Sequence, residues 1–346
     1  MVKSVLFCFE ARPLNYNHGV ALLSKLCKNA GIHVDVLVIS ELHKFKEYLV
    51  GKHYDHIGFS CVALKDYTDC IPFIEYAIMS EFKVSLGGTY FRRNITTKFD
   101  DCCFICRGEG ELLPQFILYD DRTIFDTQYM AEDLDALPLP DYDIPVMSYD
   151  GDIPELAPGK MIPYYSSRGC IGKCSFCEVH HQTGKVRIRR NVKEDLSLLA
   201  KKYQPDMFFM GDELLPYYDD EWCKSWGDFK YPFYCYIRAD ITEERLLWLI
   251  DRGMVGCAFG VESGDEKYRN EVLGKGLTDS EIERTAKILR DHGKHFVHFY
   301  MMNTEKETFA IRAKTNRFKE SLGGVPVVFN FTNITYGTHK GEISWR

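Results

Sequence analysis

Three cysteines, Cys170, Cys174 and Cys177, stand in the run Arg168-Gly169-Cys170-Ile171-Gly172-Lys173-Cys174-Ser175-Phe176-Cys177, spaced C-x3-C-x2-C. Three thiolates within eight residues can wrap three corners of one metal cluster. Gly169 and Gly172 are expected to let the backbone turn tightly, since glycine takes positive φ at little steric cost. Iron–sulfur clusters are held by cysteine thiolates, commonly four of them. Three ligands leave one iron open, and an open metal position is what catalysis needs. A [4Fe–4S] cluster is therefore the favoured group. A structural zinc ion is the alternative, with His180 or His181 as its fourth ligand.

The other cysteines read differently. Cys8, Cys27, Cys61 and Cys257 lie singly in apolar stretches, where a thiol behaves as a small core residue. The total of 13 is odd, which argues against a disulfide framework. The apolar run Val5–Phe9 is too short for a signal sequence and ends at Glu10. No run approaches the length of a membrane-spanning helix. A cytoplasmic protein with no membrane contact is expected. Lys and Arg total 43 against 50 Asp and Glu, a formal charge of −7, so bulk charge gives no case for nucleic acid.

The elements that must position the motif alternate along the chain. Strands are expected at Lys3–Phe9, Val34–Ile39, His56–Ser60, Lys83–Leu86 and Cys103–Cys106, with helices at Gly19–Ala30 and Thr68–Met79 and a helix start near Arg107–Glu111. Short apolar strands between helices imply a doubly wound parallel sheet, whose ligands bind at the carboxyl ends of the strands. Residues 131–165 hold six prolines (Pro138, Pro140, Pro145, Pro154, Pro158 and Pro163) and read as extended chain. Alternation then resumes. Strands are expected at Pro163–Ser167, Met207–Met210, Tyr234–Ile237, Gly256–Val261, Phe296–Met301 and Val327–Thr332, with helices near Val192–Lys202, Glu243–Asp251 and Asp279–His292. A full eight-unit barrel needs about 250 residues, so a partial (β/α)6 TIM-type barrel is expected. The fold class is α/β: a doubly wound domain over 1–130, a proline-rich linker over 131–162 and a partial barrel over 163–346.

The cysteine motif, with an aromatic residue just before its last Cys, resembles the signature of radical S-adenosylmethionine (radical SAM) enzymes. Phe208-Phe209-Met210-Gly211-Asp212-Glu213 resembles the strand-end motif of that family that holds the methionyl amine. Phe259-Gly260-Val261-Glu262-Ser263-Gly264 resembles its "GvESg" segment and Leu273-Gly274-Lys275-Gly276 its "l.Kg.t". Arg238-Ala239-Asp240 ends the third strand, and Tyr336-Gly337-Thr338 resembles the turn after the sixth. The resemblance implies that Asp212 or Glu213 pairs with the SAM amine, Arg238 with its carboxylate, and Glu262 with a ribose hydroxyl. Gly211 and Ser263 belong to the same SAM site, and Phe176 packs near the adenine. It also implies a one-electron cleavage of SAM to a 5′-deoxyadenosyl radical, fed by an external donor of flavodoxin or ferredoxin type.

The N-terminal part resembles the cobalamin-binding domain carried by one class of that family. The landmarks are Gly19–Ala30 with the following Gly31–Val36, Ile57-Gly58-Phe59-Ser60, Leu86-Gly87-Gly88, Arg107-Gly108-Glu109-Gly110-Glu111 and the linker segment Leu134–Pro140. The resemblance implies that Ser60, Gly87, Gly88 and Glu109 face cobalamin, with the glycines admitting close approach of the corrin and its tail. The Asp-x-His-x-x-Gly segment that ligates cobalt in many cobalamin proteins is absent: His18-Gly19 follows the first strand, but Tyr16 stands where Asp would.

Other clusters are set aside. Cys102, Cys103 and Cys106 read as part of a buried strand, not as a second cluster. Lys185, Arg187, Arg189 and Arg190 read as a solvated edge, and His292, His295 and His298 as unrelated to a metal. After the fifth strand Met301-Met302-Asn303-Thr304 replaces the Gly-x-Pro-Gly of relatives. With no lid domain after the sixth strand, a partner or oligomer is expected to close the barrel.

The expected activity is that of a cobalamin-dependent radical SAM methyltransferase, acting on an unactivated carbon or a phosphorus centre in a small molecule or peptide. One SAM would methylate cobalamin and another would give the radical. The first rival is radical oxidation, rearrangement or cyclisation, with cobalamin auxiliary or absent. The second is a non-catalytic iron–sulfur scaffold or electron carrier, which would not need the Gly211–Glu213 and Gly260–Gly264 segments.

Overall fold

Apolar strands that read as near-continuous hydrophobic runs must be covered on both faces. The computed structural model meets that requirement twice over. It describes residues 2–10, 17–92, 96–120, 129–143, 146–147, 161–177, 179, 185–304 and 306–330. His180, His181, Tyr16, Pro145, Pro154, Pro158 and the Tyr336-Gly337-Thr338 segment lie outside these residues. The chain divides into two compact units, one of Met1–Glu132 with Ala136–Gly159 and one of Asp133–Asp135 with Lys160–Arg346.

The first unit holds β1 (Ser4–Glu10), α1 (His18–Asn29), β2 (His33–Ile39), α2 (Leu42–Leu49), β3 (His56–Ser60), α3 (Leu64–Met79), β4 (Val84–Gly87), β5 (Phe104–Ile105), α4 (Leu113–Tyr119) and β6 (Val146–Met147). Its sheet runs β5-β4-β3-β1-β2-β6, every neighbour parallel. Strand order reverses at β1, which pairs with both β2 and β3, so the ligand crevice of such a sheet lies beside the carboxyl ends of β1 and β3. Val5, Leu6, Cys8, Val36, Leu37 and Ile57 are fully buried, as strands covered on both faces must be.

Two features depart from the sequence reading. Helix α3 starts four residues before the expected Thr68, because the Asp66 carboxylate accepts from the backbone N–H groups of Val62 (2.8 Å) and Ala63 (3.0 Å) and so closes its N-terminus. The proline-rich stretch also contributes β6, which pairs with Val36 and Leu37 and covers what would be an open edge at β2.

The second unit holds β7 (Met161–Tyr164), β8 (Ser167–Arg168), β9 (Arg187–Ile188), α5 (Val192–Tyr203), β10 (Met207–Met210), α6 (Asp220–Trp226), β11 (Phe233–Tyr236), α7 (Glu243–Asp251), β12 (Met254–Glu262), α8 (Glu266–Glu271), α9 (Asp279–Asp291), β13 (His295–Met302), α10 (Phe309–Ser321) and β14 (Val325–Asn330). Its main sheet runs β14-β13-β12-β11-β10-β7, all parallel and in chain order, with helices in the crossovers. That is the strand order of a barrel cut short after six units.

The expected strand Pro163–Ser167 is broken. Pairing with β10 ends at Tyr164, and Ser167–Arg168 pairs antiparallel with Arg187–Ile188 instead. The two short strands close the base of the excursion that carries the three cysteines.

Candidate functional site

The cysteine loop leaves β8 at Gly169, whose φ of 93° is a conformation that side chains resist. Gly172 takes no positive φ, contrary to expectation. It is needed for space: a Cβ there would stand 3.3 Å from Cys170 Sγ and 3.8 Å from Cys174 Sγ. Its N–H points at Cys170 Sγ, 3.3 Å away. Burial pushes the Cys170 and Cys177 thiols above their ordinary range, while Lys275 acts the other way on both and Arg238 on Cys170. Among the described residues no group of three or more Cys, His, Asp and Glu side chains converges on a single-ion position. A cluster gives each thiolate its own iron and needs no such convergence.

The loop is docked on the turn after α8. Ser175 donates from its backbone N to Leu273 O (3.1 Å) and from Oγ to Val272 O (3.0 Å). Arg238, at the end of β11, reaches across with Nη1 3.9 Å from Cys174 Sγ and Nη2 donating to Lys275 O at 2.9 Å; its Nε bonds Asp240 at 3.2 Å. Lys275 Nζ lies 5.9 Å from the centre of the Phe176 ring, and 2.8 Å from Glu262 Oε1. Cys170, Cys174, Cys177, Phe176, Arg238 and Glu262 are thus gathered around one loop.

The neighbouring acids separate. Asp212 is fully buried and accepts from Ser166 Oγ at 3.0 Å and Ser167 Oγ at 2.6 Å. Its Oδ2 has no hydrogen-bond partner among the described residues. Burial raises this carboxyl to about 7, against the lowering effect of the serines. Glu213 is exposed and accepts from the N–H of Gly169 at 3.3 Å, at the root of the cysteine loop. Gly211 lies against Tyr165, whose ring a Cβ at 211 would strike. Ser263 is buried, and its hydroxyl is shared between Thr315 Oγ1 (3.2 Å) and the N–H of Asp265 (3.2 Å). It shapes the turn into α8.

In the first unit, Ser60 ends β3 and accepts from Asn17 Nδ2 at 3.4 Å, beside the reversal of strand order. Gly87 ends β4, and a Cβ there would meet only Cys106 Cβ, at an ordinary 3.7 Å. Gly88 has φ 102°, and a Cβ would collide with the Cys61 carbonyl. The fold itself explains that glycine. Glu109 is buried, with Oε2 accepting from the N–H of Ala131 at 2.8 Å. His18 Nδ1 lies 3.0 Å from Tyr142 Oη.

Sequence reading missed four supporting residues. Lys275 was noticed in a motif but given no role. Arg269 is fully buried; it donates to Ser263 O (2.8 Å), Leu277 O (2.9 Å) and Asp279 (2.6 Å), tying the two turns around Glu262 together. No spacing rule marks such a residue, although an arginine inside an otherwise short helix was a usable signal. Arg187 and Arg189 are buried, not on a solvated edge: Arg189 pairs with Asp195 and donates to Leu134 O at 2.7 Å. His292 caps α9, His295 is exposed and His298 bonds Gly323 O at 2.7 Å, each in its own setting.

A six-stranded parallel barrel with a C-x3-C-x2-C loop after its first strand defines an α/β iron–sulfur class, and comparison with known proteins narrows it. Residues 164–310 match the Radical SAM superfamily, and this stretch is a radical SAM domain. Cytidylyl-2-hydroxyethylphosphonate methyltransferase of Streptomyces wedmorensis is 24% identical over 189 residues, which are 50% of this chain and 35% of that protein. The match therefore spans about a third of that relative's length. The chain is also similar in fold to the radical SAM methyltransferase TsrM from Kitasatospora setae. The TM-score is 0.74, at 14% identity, against the form with tryptophan and a SAM analogue, covering 95% of this chain and 72% of that one. Against the form with cobalamin and a [4Fe–4S] cluster it is 0.71, at 13% identity, covering 96% and 76%. No described helix is long and apolar enough to cross a membrane.

Proposed function

We propose that the chain is a cobalamin-dependent radical SAM methyltransferase acting on an unactivated carbon or a phosphorus centre of a small molecule or peptide. The observation that carries this reading is the cysteine loop: three thiols within eight residues at the carboxyl end of a barrel strand, faced by Arg238 and Lys275. Thiolate donors flanked by cations suit a [4Fe–4S] cluster. The carboxyl ends of β3 and β4 suit a flat ligand at Ser60 and Gly87, the second of which lacks a Cβ and lets the backbone approach. When bound, cluster and SAM supply homolytic cleavage of a carbon–sulfur bond, and cobalamin supplies a methyl carrier.

This chain's own residues orient and shield. Cys170, Cys174 and Cys177 would hold the cluster, each thiolate binding one iron. Glu213 is the exposed acid at the loop root and takes the methionyl amine, with Gly211 beside it. Asp212 stands behind it and fixes Ser166 and Ser167, on which the loop is founded. Arg238 offers its guanidinium to the carboxylate of SAM. Glu262 offers its carboxylate to the ribose, Ser263 shapes that turn and Phe176 lies against the adenine. Glu109 would shape the backbone beside the corrin through its bond to the N–H of Ala131, while Gly88 serves the turn after β4. The electron comes from a flavodoxin- or ferredoxin-type donor in the cytoplasm.

The test is anaerobic reconstitution with iron, sulfide and hydroxocobalamin, followed by SAM and a reductant. The expected products are 5′-deoxyadenosine and S-adenosylhomocysteine, with corrin retained after desalting. 5′-Deoxyadenosine without retained corrin would replace methyl transfer by radical oxidation or rearrangement. Absence of both products would leave an electron carrier.

A further inference from the structure

Lys275 is brought to the cysteine loop by strain. Its Nζ is 2.8 Å from Glu262 Oε1, and the two side chains are only 10% and 9% exposed. The pair lies over the backbone of Gly260: a Cβ there would run into the Glu262 carboxylate and stand 2.6 Å from Lys275 Nζ. Glu262 has φ 68°, a left-handed conformation that a non-glycine residue keeps only under constraint, and the β12–β13 register shifts between Gly260 and Glu262. The strand end is bent so that this carboxylate meets this lysine.

The lysine lies beside the cysteine loop: its Nζ is 5.9 Å from the ring centre of Phe176, the residue before Cys177, and its charge acts on the Cys170 and Cys177 thiols against the effect of burial. Burial alone would lower the lysine's pKa, but Glu262 and Cys174 outweigh it, and it is raised. Arg238 is the second cation, 3.9 Å from Cys174 Sγ and bonded to the Lys275 carbonyl. Water is largely excluded, and a fixed charge there is screened less than at the surface.

We propose that Lys275 is a positioning residue for the cluster: its ammonium, held by Glu262, sets the reduction potential of a [4Fe–4S] cluster on Cys170, Cys174 and Cys177. This rests on the cluster reading above. Reduction adds one electron, from an external reductant, to a group already made negative by its thiolates. A fixed cation nearby stabilises the reduced form more than the oxidised one.

The experiment uses the full chain, reconstituted anaerobically with iron and sulfide, and reads iron content and the one-electron midpoint by titration monitored with electron paramagnetic resonance. Removing Lys275 alone would strand a buried carboxylate. The informative comparison is therefore Glu262→Gln against Lys275→Met/Glu262→Gln, which differ only in the ammonium. The double variant is expected to keep its iron and to have a midpoint more negative by at least about 59 mV, a tenfold change in the ratio of reduced to oxidised cluster at fixed potential. Lys275→Arg, which keeps the charge, is expected to stay near the wild type. Equal midpoints in the two Gln-containing proteins overturn the proposal and leave the cluster reading standing. Loss of iron from the double variant alone also overturns it, by assigning Lys275 to assembly. No cluster in the wild type overturns both.

Discussion

Asp212 and Glu213 are adjacent in sequence and opposite in environment: one fully buried on two serine hydroxyls, the other exposed at the root of the cysteine loop. The Gly-Asp-Glu run marks a strand end, but which acid faces outward depends on where pleating stops, and that is set by the Tyr164–Gly211 pairing. The buried acid has a thermodynamic signature. Unfolded, Asp212 ionises near pH 4; folded, it holds its proton to about 7. Between those values the native state binds one more proton than the unfolded state. Raising the pH through that window therefore destabilises the fold, by about 4 kcal/mol at most. Asp212→Asn should lose this slope, which urea unfolding of the cofactor-free chain at pH 5 and pH 8 would reveal. Equal pH dependence in both proteins would refute the assignment. The cysteines are the opposite case, since spacing alone identified them. Cys174→Ala is expected to bind no cluster iron and to cleave no SAM, and wild-type iron content in that variant would remove Cys174 from the ligand set.

Elements were legible to the extent that apolar runs and caps define them. β10 matches its expected limits, and the capping box of Thr278 and Glu281 starts α9 where the expected helix begins. What escaped was tertiary: the break after Tyr164, the edge strand β6 and the buried arginines have causes remote in sequence. Arg189 is the clearest. Its guanidinium pairs with Asp195 in α5, which also accepts from Tyr164 Oη at 2.9 Å, so one carboxylate ties β7 to the segment entering α5. Asp195→Ala removes the carboxylate that pairs with this buried cation and is expected to cost about 3–5 kcal/mol of unfolding free energy. The exposed pair Lys230–Asp251 provides the control, and breaking it should change little. A similarly small change for Asp195→Ala would mean that Arg189 finds water.

The same distinction between fold and ligand applies to the glycine pair after β4. Sequence treated Gly87 and Gly88 alike, because a Gly-Gly dipeptide carries no sign of which residue turns. In three dimensions Gly88 serves the chain, abutting Cys61, while Gly87 has room. A bulky residue at 88 would therefore disrupt the turn, and 87 is the position that reports on a ligand. This sets a prediction for the whole molecule. The residues proposed to face corrin and those proposed to hold the cluster belong to different compact units, each with its own parallel sheet, so the two groups are expected to respond to mutation separately. Gly87→Leu should abolish retention of hydroxocobalamin after desalting while iron binding at the cysteine loop stays at the wild-type level. Cys174→Ala should do the reverse, losing iron and keeping corrin. Each single protein controls for folding of the other site. Loss of both groups from either variant would mean that the two sites are coupled, and retention of corrin by Gly87→Leu would move the corrin away from the end of β4.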